Sequence, residues 1–70
     1  MARQMTISVN GHAMEVPADT TVAALLQMLN IEPAYVAVEL DGSVERQERW
    51  GETSISPGAM LEIVRFVGGG

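Results

Sequence analysis

The last three residues, Gly68, Gly69 and Gly70, offer the most specific chemistry in this sequence. Glycine has no Cβ atom, so three in succession form a narrow, pliable strip that fits a tight channel in a partner protein. The α-carboxylate of Gly70 is then the first group that such a channel delivers to a distant active site. A frayed tail, which is common at chain ends, and a cloning remnant are the alternatives.

The other side chains offer little chemistry. The chain has no Cys, which excludes disulfides and thiolate metal sites, and its single histidine, His12, lies in no recognisable nucleophile motif. Zinc sites use several Cys or His ligands, and neither a phosphate loop nor a catalytic triad signature is present. We therefore expect a protein that is not an enzyme and that binds no metal or cofactor of its own.

The composition indicates one packed domain with an acidic surface. The chain has 70 residues, of which 47% are hydrophobic and 19% are charged, values that are ordinary for a globular domain. With a net charge of −5, no lysine and no cluster of arginines, it is not expected to bind nucleic acid. No apolar run approaches the roughly 20 residues that span a bilayer or resembles a signal peptide, so we expect no membrane association and a cytoplasmic location.

The elements that must position the tail begin with a β-hairpin. Residues 5–9 alternate between apolar and polar side chains, which is typical of a half-buried strand. Asn10-Gly11 follows and favours a type I′ turn, because both residues tolerate a positive φ. Residues 12–16 are therefore predicted to return antiparallel, in a register that the two-residue turn fixes.

A short amphipathic helix is predicted next. Its apolar stripe, at positions i, i+3, i+4 and i+7, consists of Val22, Leu25, Leu26 and Leu29. Thr20 or Thr21 can cap its N-terminus, and Asn30 is predicted to end it. A helix of three turns or fewer is unstable alone, so it needs a sheet to pack on.

Three more strands are predicted after the helix. They are residues 35–40, a short return strand at 43–45 beyond Asp41-Gly42, and the final strand at 60–67. The intervening stretch is polar and contains Trp50, which we interpret as a core residue rather than an interface residue. A mixed sheet of four or five strands over one helix satisfies this order, and it is an α+β fold. We predict one domain at 1–67 and a flexible tail at 68–70.

The alternation of the strands also predicts a mildly apolar patch on the outer face of the sheet. Its members and their polar neighbours are Ala37, Met60, Val64, Thr6, Ser8, Glu39 and Glu62. With Phe66, this patch leads toward the tail and is a candidate docking face, although scattered exposed apolar residues are normal. A slip of one residue in strand phase would exchange the two faces.

Four stretches of the chain resemble the sulfur-carrier family of thiamine biosynthesis (ThiS-like proteins). They are Val9-Asn10-Gly11, the helix start at 21–26, the strand and turn at 36–42, and the segment 62–70 that ends in Gly68-Gly69-Gly70. They occur in the family's order, and the resemblance as a whole extends over nearly the whole chain. The resemblance implies a ubiquitin-like β-grasp fold.

The resemblance also implies a function. A ThiF-like adenylating enzyme would use ATP to activate the Gly70 carboxylate, and a sulfur donor such as a cysteine desulfurase system would convert it to a thiocarboxylate. Thiazole synthase would then receive the sulfur for the thiazole ring of thiamine. The chain would act as a cosubstrate. From strand phase, we expect its partners to contact Gly69, Gly68, Phe66, Val64, Met60 and Ala37.

Two alternatives stay open. Related carriers that serve molybdopterin synthesis share the fold and the Gly-Gly end, so the sulfur could go to molybdopterin or to another product. A protein-interaction module with an inert tail is the second alternative, and it predicts that removal of Gly70 leaves the function intact.

Overall fold

A computed structural model of the chain describes residues 3–66. Its strands and helix, in chain order, are β1 (Gln4–Val9), β2 (His12–Pro17), α1 (Val22–Met28), β3 (Val36–Leu40), β4 (Ser43–Glu45) and β5 (Met60–Arg65). Two short 3₁₀ turns lie at Pro33–Tyr35 and Gln47–Arg49. No helix within residues 3–66 has the length and apolar character needed to cross a membrane.

The first hairpin has the predicted turn and register. Asn10 and Gly11 have φ values of 51° and 83°, as a type I′ turn requires. Val9 lies opposite His12, and the pairing continues to Gln4 opposite Pro17. The apolar side chains of β1 therefore share one face of the sheet, which is the face that α1 covers.

The sheet places β5 at its centre. The strand order is β2-β1-β5-β3-β4, with β5 parallel to β1 and antiparallel to β3. The short strand β4 pairs with β3 through the turn at Asp41-Gly42. A five-stranded mixed sheet over one α-helix confirms the predicted α+β architecture.

The N-terminus of α1 is capped by a side chain and by the loop that precedes β5. The hydroxyl of Thr21 accepts a hydrogen bond from the Ala24 amide at 3.1 Å. The amides of Val22 and Ala23 donate to the carbonyl oxygens of Thr53 and Trp50, at 3.0 and 3.1 Å. Because these three amides have no partner within the helix itself, the loop stabilises a helix that is too short to form alone.

We expect Thr21→Ala to lower the free energy of unfolding by about 1 kcal/mol, because the Ala24 amide loses its side-chain acceptor. Urea denaturation followed by circular dichroism measures the change. Ser56→Ala, which removes an exposed hydroxyl from the loop before β5, is the control and should change stability little. Equal losses in the two variants would show that the cap contributes nothing specific.

The core lies between α1 and the inner face of the sheet. Its largest fully buried side chains are Ile7, Leu25, Leu26, Leu61, Val16, Val22 and Val38. Trp50 is 4% exposed, and its indole N–H donates to the carbonyl oxygen of Glu45 at 3.0 Å. The prediction that Trp50 belongs to the core is therefore confirmed.

Four predicted strand boundaries differ from the structure, and two of these differences are extensions by one residue, to Gln4 in β1 and to Pro17 in β2. Tyr35 was predicted to begin a strand, but it ends the 3₁₀ turn that starts at Pro33, because proline favours a turn at this point. The last strand ends at Arg65, and Phe66 has no strand assignment. Val67 and the predicted tail at 68–70 lie outside the described residues, so the division into a domain and a tail stays a prediction.

Candidate functional site

The outer face of the sheet brings together the apolar residues that the strand phases predicted. Ala37 of β3 lies opposite Val64 of β5, and Met60 lies opposite Ser8 of β1. Met60 is 62% exposed and Val64 is 52% exposed, whereas Ala37 is half-buried. The prediction that these three residues share the outer face of the sheet is therefore confirmed.

Two further apolar side chains extend this patch. Val44 of β4, which the sequence analysis did not place in the patch, is 69% exposed and lies opposite Glu39. Phe66, the residue that follows β5, is 58% exposed. We define the outer face by these residues and their polar neighbours in the strands: Ala37, Val44, Met60, Val64, Phe66, Thr6, Ser8, Glu15, Glu39 and Glu62.

Glu39 and Glu62 lie directly opposite each other near the middle of the outer face. In the antiparallel ladder between β3 and β5, the Asp41 amide donates to the Met60 carbonyl oxygen at 2.7 Å, so Asp41 and Met60 form a hydrogen-bonded pair. Pairs alternate along an antiparallel ladder, so Glu39 and Glu62 also form a hydrogen-bonded pair, with Cα atoms about 5.5 Å apart. Two glutamates of adjacent strands are therefore cross-strand neighbours on the same face of the sheet.

β5 is held from both sides by the side chains of turn residues. The Asn10 side chain accepts from the Ile63 amide at 2.7 Å and donates to the Ile63 carbonyl oxygen at 3.3 Å. On the other side, the Asp41 carboxylate accepts from the Met60 amide at 2.9 Å. Asn10 thus continues the pairing of β5 beyond Val9, where β1 ends, and fixes the strand that leads toward the tail.

We expect Asn10→Gly to destabilise the protein by about 1 kcal/mol, because it removes both side-chain bonds to Ile63 but keeps a residue that tolerates positive φ. Asn30→Gly is a matched control, since Asn30 has a φ of 60° and an exposed side chain. That substitution should leave stability unchanged or raise it slightly. Thermal unfolding of both variants makes the comparison, and a loss at Asn30 as large as that at Asn10 would contradict it.

A groove of ≈ 240 Å³ lies beside the C-terminal end of β5. Its lining includes Ile31, which follows the helix, Tyr35 from the 3₁₀ turn, and Arg65 and Phe66 at the end of β5. The Phe66 amide donates to the Tyr35 carbonyl oxygen at 2.8 Å, which joins the last described residue to the 3₁₀ turn that precedes β3. The end of β5 therefore lies beside a concave surface.

The other candidate groups are isolated. His12 is exposed at the start of β2, and residues 3–66 contain no group of three His, Asp or Glu side chains that could hold a metal ion. Gly68, Gly69 and Gly70 lie outside the described residues. The structure therefore brings Ala37, Met60 and Val64 together on one face of the sheet, and the role of Gly70 stays a prediction.

Comparison with known proteins identifies the family. The family model described as "ThiS family" matches residues 5–70, which is nearly the whole chain. The chain belongs to the ThiS family. This is a family of small sulfur-carrier proteins in thiamine biosynthesis, and the predicted resemblance is confirmed.

Solved structures agree with this assignment. The crystal structure of thiamine biosynthesis protein ThiS from Geobacter metallireducens is 36% identical and has a TM-score of 0.81, covering 94% of this chain and 100% of that chain. An NMR structure of a thiamine biosynthesis protein from the same organism is 35% identical, with a TM-score of 0.75, covering 94% of this chain and 88% of that chain. The sheet and helix are thus those of a ubiquitin-like β-grasp fold.

Two curated relatives are longer proteins. Both are named thiazole synthase, from Paramagnetospirillum magneticum and Magnetococcus marinus, and each is 35% identical over 66 residues. The match covers 94% of this chain but 20% of each relative. The ThiS-family chain therefore spans about a fifth of the length of these relatives.

Proposed function

We propose that this ThiS-family chain carries sulfur as a thiocarboxylate on Gly70 and donates it for the thiazole ring of thiamine. The observation that carries the proposal is the family match over residues 5–70, which includes the Gly68-Gly69-Gly70 end. The relatives named thiazole synthase favour thiamine over molybdopterin as the destination of the sulfur.

The proposed chemistry begins with activation of the carboxylate. A free carboxylate is a poor electrophile, because a nucleophile that attacked it would have to expel oxide. In the first step, an oxygen of the Gly70 carboxylate attacks the α-phosphorus of ATP, pyrophosphate leaves, and an acyl adenylate forms. Hydrosulfide then attacks the carbonyl carbon, and AMP leaves with the former carboxylate oxygen, which gives the thiocarboxylate. Where the donor is a persulfide, an acyl disulfide forms first, and a thiol reductant cleaves its S–S bond to release the thiocarboxylate.

The composition of the chain suits this role. It has no Cys, so carried sulfur resides on the terminal carbonyl carbon rather than on a side-chain thiol. It also has no lysine, so no side-chain amine of the same chain can capture the activated acyl group. In this proposal the chain is a cosubstrate, and the catalytic groups belong to its partners.

The fixed position of β5 supports delivery of the carboxylate. The structure describes the chain to Phe66, and four residues follow. Four residues span at most about 14 Å when extended, so a partner that binds the outer face must have its active site within that reach. The partners proposed are a ThiF-like adenylating enzyme that supplies and uses ATP, a cysteine desulfurase system as sulfur donor, and thiazole synthase, all in the cytoplasm.

Mass analysis of the C-terminal peptide tests the proposal. The protein is incubated with ATP, a ThiF-like enzyme proven competent on its own carrier, and a sulfur source, and is then cleaved after Arg65. The peptide from Phe66 to Gly70 contains no Met, so an oxygen-to-sulfur mass gain there cannot be confused with methionine oxidation. We expect a gain that depends on ATP, and an unmodified peptide would contradict the proposal.

A further inference from the structure

The outer face of the sheet carries negative charge only. Its outward positions include three carboxylates, Glu15, Glu39 and Glu62, and no arginine. Arg65 lies opposite the buried Val36 and so has the phase of the inner face. The other three arginines lie outside the strands. The sheet therefore presents one sign of charge to whatever covers it.

The pair formed by Glu39 and Glu62 is unfavourable in the free protein. Like charges directly opposite each other on adjacent strands destabilise a sheet. Among residues 3–66, the one ion pair within 4.0 Å joins Arg46 to Glu48, so no cation of the described chain compensates the two glutamates. A feature that weakens the free fold calls for a role in the bound state.

The apolar residues around this pair determine what a partner must supply. Val44 lies opposite Glu39 on β4, and Ala37 and Val64 form the next pair on the same face of the sheet. A partner that covers these side chains excludes water from the two carboxylates. Removing an ionised carboxylate from water is strongly unfavourable unless a cation and hydrogen bonds replace the water. The partner surface that covers this pair must therefore carry a positively charged group surrounded by apolar side chains.

We propose that the outer face docks the adenylating enzyme through an arginine that lies between Glu39 and Glu62. The inference rests on the proposed function, in which the unmodified carrier enters that enzyme first. A guanidinium has donors on two sides in one plane, so it can bind two neighbouring carboxylates, which a lysine ammonium matches less well. The negative face and the anionic chain also favour fast association with a positive surface.

The test measures how ATP–pyrophosphate exchange by a ThiF-like enzyme, proven competent on its own carrier, depends on the concentration of this chain. We expect Glu39→Gln and Glu62→Gln each to raise KM about fivefold or more, with kcat little changed, because they remove docking contacts and leave Gly70 intact. The melting temperature of each variant should equal or exceed that of the wild type, because the repulsion is relieved. Added salt should raise the KM of the wild type more steeply than that of the variants.

Glu52→Gln is the matched control, because it makes the same change in net charge at an exposed position in the loop before β5. Its KM should equal that of the wild type. Exchange with an unchanged KM in the Glu39 and Glu62 variants, or an equal rise in the Glu52 variant, would overturn the docking inference and leave the proposed function standing. No exchange with the wild-type chain would overturn both.

Discussion

Removal of Gly70 should abolish sulfur loading while leaving the fold intact. The shortened chain ends at Gly69, so its carboxylate stops about 3.5 Å short of the position that the partner's active site requires. Misplacement of a reacting group by 1 Å can already cost about 10²-fold in rate, so we expect adenylation to fall by about 10³-fold or more. ATP–pyrophosphate exchange and the mass of the C-terminal peptide measure the loss.

Gly70→Ala keeps the length of the chain and is the control for this deletion. It adds one methyl group beside the carboxylate, so it should retain more activity than the deletion. The shortened chain should also compete with the wild type for the adenylating enzyme, because its outer face is unchanged. Sulfur transfer at the wild-type rate without Gly70 would instead support the alternative of an interaction module with an inert tail.

Leu61→Ala should cause a large loss of stability. Leu61 is 1% exposed in the core, so truncation leaves a cavity and should lower the free energy of unfolding by about 3 kcal/mol. For a domain of this size, that loss corresponds to a fall in melting temperature of about 15 °C. Urea denaturation should show a lower midpoint with an unchanged slope.

Met60→Ala is the neighbouring control, because Met60 is 62% exposed and lies on the opposite face of the same strand. Its backbone bonds with Asp41 do not involve the side chain, so stability should change by no more than about 0.5 kcal/mol. Comparable losses at the two positions would contradict the assignment of Leu61 to the core and Met60 to the surface. The two substitutions, at adjacent positions of β5, thus distinguish the loss of core packing from the loss of an exposed side chain.

The sequence predicts those parts of the fold that local chemistry determines. Asn10-Gly11 specifies a two-residue turn, and such a turn fixes the register of the hairpin it joins. Thr21 was one of two candidate caps, and the structure shows that its hydroxyl holds the Ala24 amide. The alternation within β5 placed Leu61 inside correctly, because a half-buried strand reveals its faces through period two.

Features that depend on pairing between distant segments could not be predicted from the sequence. No short turn joins β5 to β3, so the register that places Glu39 opposite Glu62 depends on the packing of the whole sheet. The side-chain bonds of Asn10 to Ile63 cross 53 residues of sequence, and an Asn-Gly pair predicts only the turn. The reactive role of Gly70 is a prediction from the C-terminal glycines and the family resemblance, because Gly70 lies outside the described residues 3–66.

The central position of β5 has a mechanical consequence. In the proposed function a partner draws the C-terminal residues into its active site, and such a pull would act along the axis of β5. The hydrogen bonds of β5 to β1 and β3 lie across that axis, so the pull loads them together in shear rather than opening them one at a time. The domain therefore resists a force applied to its C-terminal segment, because β5 can leave the sheet only if its hydrogen bonds to β1 and β3 break together.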